Sequence, residues 1–274
     1  MHIATQPSTI AALTSEWQGS RTEDGRPLVA DVVLDRLRHA TIEQAWQVLD
    51  AAGYQRQFAG DWIRSHETRP LVGRAVTAQF LPHRPDFDAA VVKAGAEAGH
   101  HEATQQNAWL ISMLQAGDVM VADMFGKVKD GTLVGDNLGT AVATRTGTGA
   151  VINGGVRDFD GLQELDNANF FCRGIDPSAI ADLVLAGVNH PIRIGEATVL
   201  PGDIVLGTAT GVIFIPAHLA EAVAEASEDI ASRDVFGKAR IAEGVYTGGE
   251  IDVPDWLEHI EADYQAWRSD RANA

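Results

Sequence analysis

Asp136 opens a helix-like run after Gly135, and Arg157 and Asp158 follow the paired glycines of "VINGGVRDFDG". Each of these residue types has a chemical use. Backbone amides at a helix N-terminus, here around Gly135, Asn137 and Leu138, can hold an anionic oxygen. The Arg157 guanidinium can add a bidentate grip on a carboxylate. The Asp158 carboxylate is a hard oxygen ligand for a divalent cation such as Mg2+, which often takes only one or two carboxylates and keeps waters in its other positions. Asp136 can hold a water or a proton. Anion grip, metal ligand and acid/base thus fall within one short stretch. Each also has a plainer reading: Arg157–Asp158 as an ion pair at a turn, Asp136 as a helix-start residue favoured by the dipole, and Gly154–Gly155 as turn residues.

Other residues of the right types are less well placed. His100, His101 and Glu102 in "GHHEATQQNAW" are metal-ligand types, but adjacent residues on a helix point apart. Asp123 stands at an expected strand end, where it could support the site from behind. Asp160 reads as an ordinary helix-start residue. The single cysteine, Cys172, lies in the apolar run "NFFCRG" and is either a buried small hydrophobe or a reactive thiol.

The elements that must position these residues are readable in part. "HATIEQAWQVLDAAGY" has a capping-box pair, Thr41 and Gln44, helical spacing of apolar residues, and Gly53 as a stop. "LVGRAVTAQFL" (71–81) reads as a strand. Residues 82–107 are less regular: "PHRPDFD" is loop-like and the rest helical in part. "GDVMVAD" predicts a buried strand ending near Asp123, "GDNLGTAVATRTG" a turn into a short helix, "GAVINGG" a strand, "FDGLQELDN" a helical turn, and "NFFCRG" another strand. "QAGDVMVAD" and "LPGDIVLGT" share a Gly-Asp turn before a buried strand. "TGVIFIP" supplies a further strand, and Pro216 opens a long helical stretch. Polar residues 1–27 read as an N-terminal arm, 28–243 as one α/β domain, and 244–274 as a C-terminal tail. The tail's Trp256, Tyr264 and Trp267 are suited to docking on a neighbouring subunit or on the parent chain.

Composition narrows the function. With 274 residues and 45% hydrophobic content, the chain can build one sizeable core. A net charge of −17 disfavours nucleic acid and anionic membranes as partners. One cysteine excludes an intrachain disulfide framework. No window has the apolar length of a membrane helix, and the N-terminus lacks the pattern of a signal peptide, so a cytoplasmic location is expected.

Asp136, twenty residues, then Arg157-Asp158 resembles the D-X20-R-D signature of the class II pyruvate aldolases, the 4-hydroxy-4-methyl-2-oxoglutarate aldolase family. These share the RraA-like superfamily with the regulators of ribonuclease activity. "GDVMVAD", "GAVINGGVRD", "FFCRG" and "HPIRIGEATVLPGDIVLGTATGVIFIP" follow the same order, and the resemblance covers roughly residues 30–235. It implies a layered α/β/β/α sandwich resembling the swivelling phosphohistidine domain, assembled as a trimer or hexamer with active sites between subunits. It implies that Asp158 binds Mg2+ or Mn2+, and that Arg157 and the amides near Leu138 hold a 2-oxo acid. Asp136 then positions a water as acid/base, and the metal and Arg157 spread the charge of an enolate. On this reading the paired glycines let ligand and metal approach the backbone. Asn107 falls near the family's position for a polar substrate contact.

Two departures stand out. The lysine that the aldolases carry downstream of the signature arginine is missing, since no lysine occurs between Lys129 and Lys238. The segment before the signature instead carries Lys127 and Lys129 in a glycine-flanked loop. Lys127 is therefore a candidate anion contact, against the plainer reading of a solvated loop lysine. The leading expectation is a metal-dependent lyase acting on a 2-oxo acid, by retro-aldol cleavage or by oxaloacetate-type decarboxylation. The alternative is a non-enzymatic regulator that binds a ribonuclease. No glycine-rich S-adenosylmethionine loop supports a methyltransferase.

Overall fold

The fold is seen in a computed structural model that describes residues 2–100 and 105–272. His101 and Glu102 lie outside the described residues. In chain order the elements are α1 (Pro7–Leu13), α2 (Asp31–Leu37), α3 (Ile42–Ala51), β1 (Phe58–Ala59), β2 (Ile63–Arg64), β3 (Leu71–Pro82), α4 (Pro85–Glu97) and α5 (Gln106–Ser112). Then come β4 (Asp118–Asp123), α6 (Asp136–Thr146), β5 (Gly149–Val156), α7 (Phe159–Gln163), β6 (Asn169–Ile175) and β7 (Leu183–Val188). The short strands β8 (Ile192–Ile194), β9 (Ala197–Val199), β10 (Ile204–Gly207) and β11 (Val212–Ile215) lead to α8 (Ala220–Ala242), α9 (Gly248–Ile251) and α10 (Glu258–Ala272).

Local signals account for several of these elements. Thr41 and Gln44 cap α3 reciprocally, and Gly53 ends it at φ 86° with the Tyr54 amide donating to the Leu49 carbonyl at 2.7 Å. The two Gly-Asp turns are alike in detail. Gly117 and Gly202 take φ 78° and 87°. Asp118 accepts the Gln115 amide and Asp203 the Leu200 amide, both at 2.8 Å. "PHRPDFD" departs from its loop-like reading: α4 begins at Pro85, because proline suits the first helical position and Asp86 and Asp88 suit the positive end of the dipole.

The chain divides into two compact units, Met1–Ala224 and Glu225–Ala274. In the first, a sheet runs in the order β1-β11-β10-β3-β4-β5-β6-β2, with β7 pairing the far end of β3. β3, β4, β5 and β6 are parallel neighbours, and β10 and β11 are antiparallel additions. The sheet curls so that Leu71, Val119, Val121, Val151 and Phe171 share a core with Val205, Val212, Phe214 and the β8–β9 hairpin. Leu110, Val142 and Leu162 of the helices α5, α6 and α7 cover the outer face of β4, β5 and β6. α2, α3 and the first turn of α8 cover the outer face of β10 and β11. The result is helix, sheet, sheet, helix. It explains why β3 is buried on both faces over most of its length rather than alternating.

The N-terminal residues belong to this unit. The Thr5 amide donates to the Val188 carbonyl at 3.0 Å, Ile3 and Ile10 are buried, and Arg26 is enclosed against Asp118 at 2.7 Å. In the second unit, α10 packs along α8. Phe236, Ile260 and Tyr264 are buried among Tyr246, Trp256 and Trp267, so the terminal aromatics pack on the chain's own helices. Arg240 and Asp263 approach to 2.7 Å, and the Arg233 guanidinium lies 3.9 Å over the Trp256 ring. Among the described residues no helix is long and apolar enough to cross a membrane.

Candidate active site

The site gathers at the carboxyl ends of the parallel strands, where open α/β sheets leave a crevice. Asp123 closes β4, and its Oδ1 accepts the Phe125 amide at 3.0 Å and the Asn153 Nδ2 at 2.9 Å. The chain then loops out and returns beside β5. The Gly155 amide donates to the Gly131 carbonyl, the Leu133 amide to the Gly155 carbonyl, both at 3.0 Å, and the Arg157 amide to the Val134 carbonyl at 3.1 Å. This extra ladder delivers Gly135 and Asp136 directly beside Arg157 and Asp158.

Glycines are needed where these segments cross. A Cβ on Gly154 would lie 2.9 Å from the Met124 Cβ, and one on Gly155 2.6 Å from the Val128 carbonyl oxygen. The pair therefore makes room for the chain's own loop, not for ligand and metal as the sequence suggested. At Gly135 the added Cβ would sit 2.4 Å from Asp158 Oδ2, so the Asp158 carboxylate rests on the Gly135 backbone. At Gly161 it would lie 2.7 Å from the Asp136 Cβ, which sets α7 against the first turn of α6.

Asp158 adopts φ 50°, a left-handed conformation uncommon outside glycine, asparagine and aspartate. It precedes α7, yet its side chain caps nothing there. Its Oδ2 lies 3.3 Å from Arg157 Nε, and both side chains are about half exposed. Among the described residues, the two terminal nitrogens of Arg157 have no partner. Asp136 Oδ1 accepts the Asn137 amide at 2.7 Å. The Gly139 amide closes the first helical bond onto Gly135, while the Leu138 amide has no partner among the described residues. α6 thus presents a free donor at its positive end.

Gly135, Asp136, Asn137, Leu138, Arg157 and Asn107 line one cleft of about 90 Å3. Asn107 is buried, and its Nδ2 donates to the Leu133 carbonyl at 2.8 Å, which braces the strand-like return. Asp158 is not among the lining residues; its carboxylate lies against Gly135, which is. Lys127 is not part of the lining: its ammonium donates to the Ala181 carbonyl at 2.9 Å. Gln105, Thr132, Leu133, Ala179 and Ile180 complete the wall and were not singled out from sequence. Thr132 Oγ1 donates to the Ser178 carbonyl at 2.6 Å, and the Asp130 amide to Ser178 Oγ at 2.6 Å, which ties that wall to the Lys127 loop. Apolar residues met by a distant loop leave no chemical signature in the sequence.

The remaining candidates have structural partners. The His100 ring stacks on Trp109 at 5.1 Å, and burial lowers its pKa. Asn153 links Asp123 to Arg173 Nε at 3.0 Å, and the Arg173 guanidinium lies 3.5 Å over the Trp62 ring. Burial pushes the Cys172 thiol up to about 12, so it is an inert core residue. Among the described residues no group of three or more His, Cys, Asp or Glu converges as a metal-binding set.

Comparison with known proteins bears on the family and the fold. A family model described as RraA-like (Aldolase/RraA) matches residues 39–214. A Halalkalibacterium halodurans protein named "Putative 4-hydroxy-4-methyl-2-oxoglutarate aldolase" is 30% identical over 129 residues, 47% of this chain and 60% of that protein. Protein DlpA of Legionella pneumophila is 31% identical over 147 residues, 53% of this chain and 21% of DlpA. The matches thus span 60% and 21% of the length of these curated relatives. Among solved structures, Streptomyces coelicolor RraAS2, described as an unusual member of the RNase ES inhibitor RraA protein family, superposes with a TM-score of 0.66 at 23% identity, over 78% of this chain and 98% of that one. An uncharacterized Pseudomonas syringae pv. tomato protein gives 0.64 at 24% identity, over 79% and 91%. These two likenesses bear on the fold. With the family model spanning α3 through β11 and the signature residues inside it, this chain belongs to the RraA-like (Aldolase/RraA) family.

Proposed function

We propose that this protein is a divalent-metal-dependent lyase that cleaves a C–C bond of a 2-oxo acid. The observation that carries the reading is the single cleft lined together by Asp136, Arg157 and Leu138, whose amide is free at the start of α6. Arg157 and the Leu138 amide would hold the carboxylate and 2-oxo oxygens. Asp136, fixed by the Asn137 amide, would take the hydroxyl proton of a 4-hydroxy-2-oxo acid, directly or through water. The C3–C4 bond then breaks toward the 2-oxo group, C4 leaves as a carbonyl, and a proton added at C3 gives pyruvate. With a carboxylate as the leaving group, the same electron flow releases CO2.

The donor set suits a hard cation. Asp158 supplies carboxylate oxygen and is about half exposed, with the Arg157 Nε 3.3 Å from its Oδ2, so Mg2+ or Mn2+ would be held by Asp158 with water and substrate oxygens. Such an ion supplies a Lewis acid that draws electrons from the breaking bond. Asn107 serves as a positioning residue that braces the Leu133 wall, and Lys127 as one that ties its loop to Ala181, next to the Ile180 wall. The exposed side of Arg157 and Asp158 is where a second copy, in a trimer or hexamer, would close the site.

The test is pyruvate release from a panel of 4-hydroxy-2-oxo acids and oxaloacetate, with Mg2+ and then with EDTA. Turnover that EDTA abolishes and Mg2+ restores is expected. No turnover together with no metal binding would overturn the lyase reading and favour the alternative, a non-enzymatic regulator that binds a ribonuclease.

A further inference from the structure

The two Gly-Asp turns end differently. At the first, Asp118 meets a cation from the N-terminal residues: Arg26 Nη1 and Nη2 lie 2.7 and 3.2 Å from its two oxygens. At the second, Asp203 is just as buried, at 4% exposed, and its Oδ2 likewise accepts a backbone amide. Its Oδ1 has no partner among the described residues, and no cationic side chain faces it. Instead Asp203 lines a cavity of about 220 Å3, walled by Leu13, Glu16, Trp17, Tyr54 and His218.

That lining has a consistent character. Glu16 and Asp203 are its acids, and Leu13 and the Trp17 ring give it an apolar side. The Tyr54 hydroxyl and His218 Nε2 approach each other to 3.4 Å, and Gln57 is tied to the Thr198 and Phe214 carbonyls at 3.0 and 3.3 Å. Arg21 spends its donors on Thr14, Trp17 and Gly25 and does not line the cavity. Leu13, Glu16, Trp17 and His218 also fall outside residues 39–214, so the cavity is made where this chain adds to the family core.

We infer that this cavity is a second binding site, for a small organic cation, an amine or guanidine with an apolar body, whose charge meets Asp203 as Arg26 meets Asp118. Glu16 adds a second negative charge at the edge, and Trp17 offers a ring face and apolar contact to the ligand. Burial pushes the Asp203 carboxyl up to about 7, so a cation that requires the ionised form must displace its proton.

Calorimetry with benzylammonium as the probe tests this, with benzyl alcohol and benzoate as neutral and anionic controls. One saturable site is expected, at least tenfold tighter for benzylammonium than for either control. Its affinity should rise about tenfold from pH 6 to pH 8 as Asp203 ionises. Asp203→Asn should lose the binding while keeping the amide acceptor for Leu200. Ser15→Trp, at an exposed residue of the rim, should block the cavity and lose it too, which decides the matter should Asp203→Asn fail to fold. Absence of saturable binding to the folded wild type, equal binding of benzoate or benzyl alcohol, or binding that survives both substitutions would overturn the inference.

Discussion

Asp118 and Asp203 occupy equivalent positions in two like turns, but only Asp118 has a cationic side chain bound to it. Asp203 carries its cost as a raised pKa: burial, against the weaker pull of the Leu200 amide, pushes the carboxyl from its ordinary value up to about 7. A carboxyl raised in the folded state binds more protons there than in the unfolded chain. Stability should therefore fall as pH rises from about 4 to about 7 and level off above that. At 1.36 kcal/mol per unit the loss is on the order of 4 kcal/mol. Asp203→Asn should raise the melting temperature at pH 8 and leave it little changed at pH 4, by thermal unfolding at both. A gain of equal size at pH 4 would contradict the burial account. Asp136, proposed above as the acid/base, lines a cleft instead, and Asp158, proposed as the metal ligand, is about half exposed.

At the scale of elements, the site depends on how closely α6, α7 and the end of β5 approach. Gly135 and Gly161 are the contact points, and Gly139 is a third, where a Cβ would fall 2.2 Å from Leu162 Cδ2. Gly135→Ala should push the Asp158 carboxylate off its seat and lower kcat/KM about 100-fold, since a displacement near 1 Å is enough for such a loss. Unchanged kinetics in a folded variant would show that Asp158 is not positioned by Gly135. Much at this scale was legible in sequence because the signals are local. The α3 caps, the Gly-Asp turns and the strand runs of β3 to β6 all rest on neighbouring residues. The D-X20-R-D spacing marked Asp136, Arg157 and Asp158 together, but the reason they meet was not legible. It lies in the return of residues 131–134 alongside β5, a pairing between distant backbone groups. The Ala179–Ile180 wall was hidden for the same reason, and the role of Gly154–Gly155 was misread because only the fold reveals which chain segment passes over them.

For the whole molecule, the N-terminal residues are a structural participant. Residues 1–27 read as a polar arm, yet Arg26 is fully buried between Asp118 and Asp24, and Ile3 and Ile10 enter the core. Polar composition concealed this because a buried arginine looks, in sequence, like a solvated one. Arg26→Ala would leave Asp118 enclosed without its cation. It should cost about 3–5 kcal/mol, measured by denaturant unfolding. A cost below about 1 kcal/mol would mean that water or another group replaces the guanidinium.

The proposed activity requires Asp158 as the metal ligand beside an Arg157 anion grip. The most direct test is pyruvate release from a 4-hydroxy-2-oxo acid by the wild type and by Asp158→Ala, each titrated with Mg2+ and each assayed for Mg2+ binding. The wild type should show saturable, Mg2+-dependent release, and Asp158→Ala should lose both metal affinity and turnover while remaining folded. Activity and metal affinity that survive in Asp158→Ala would contradict it.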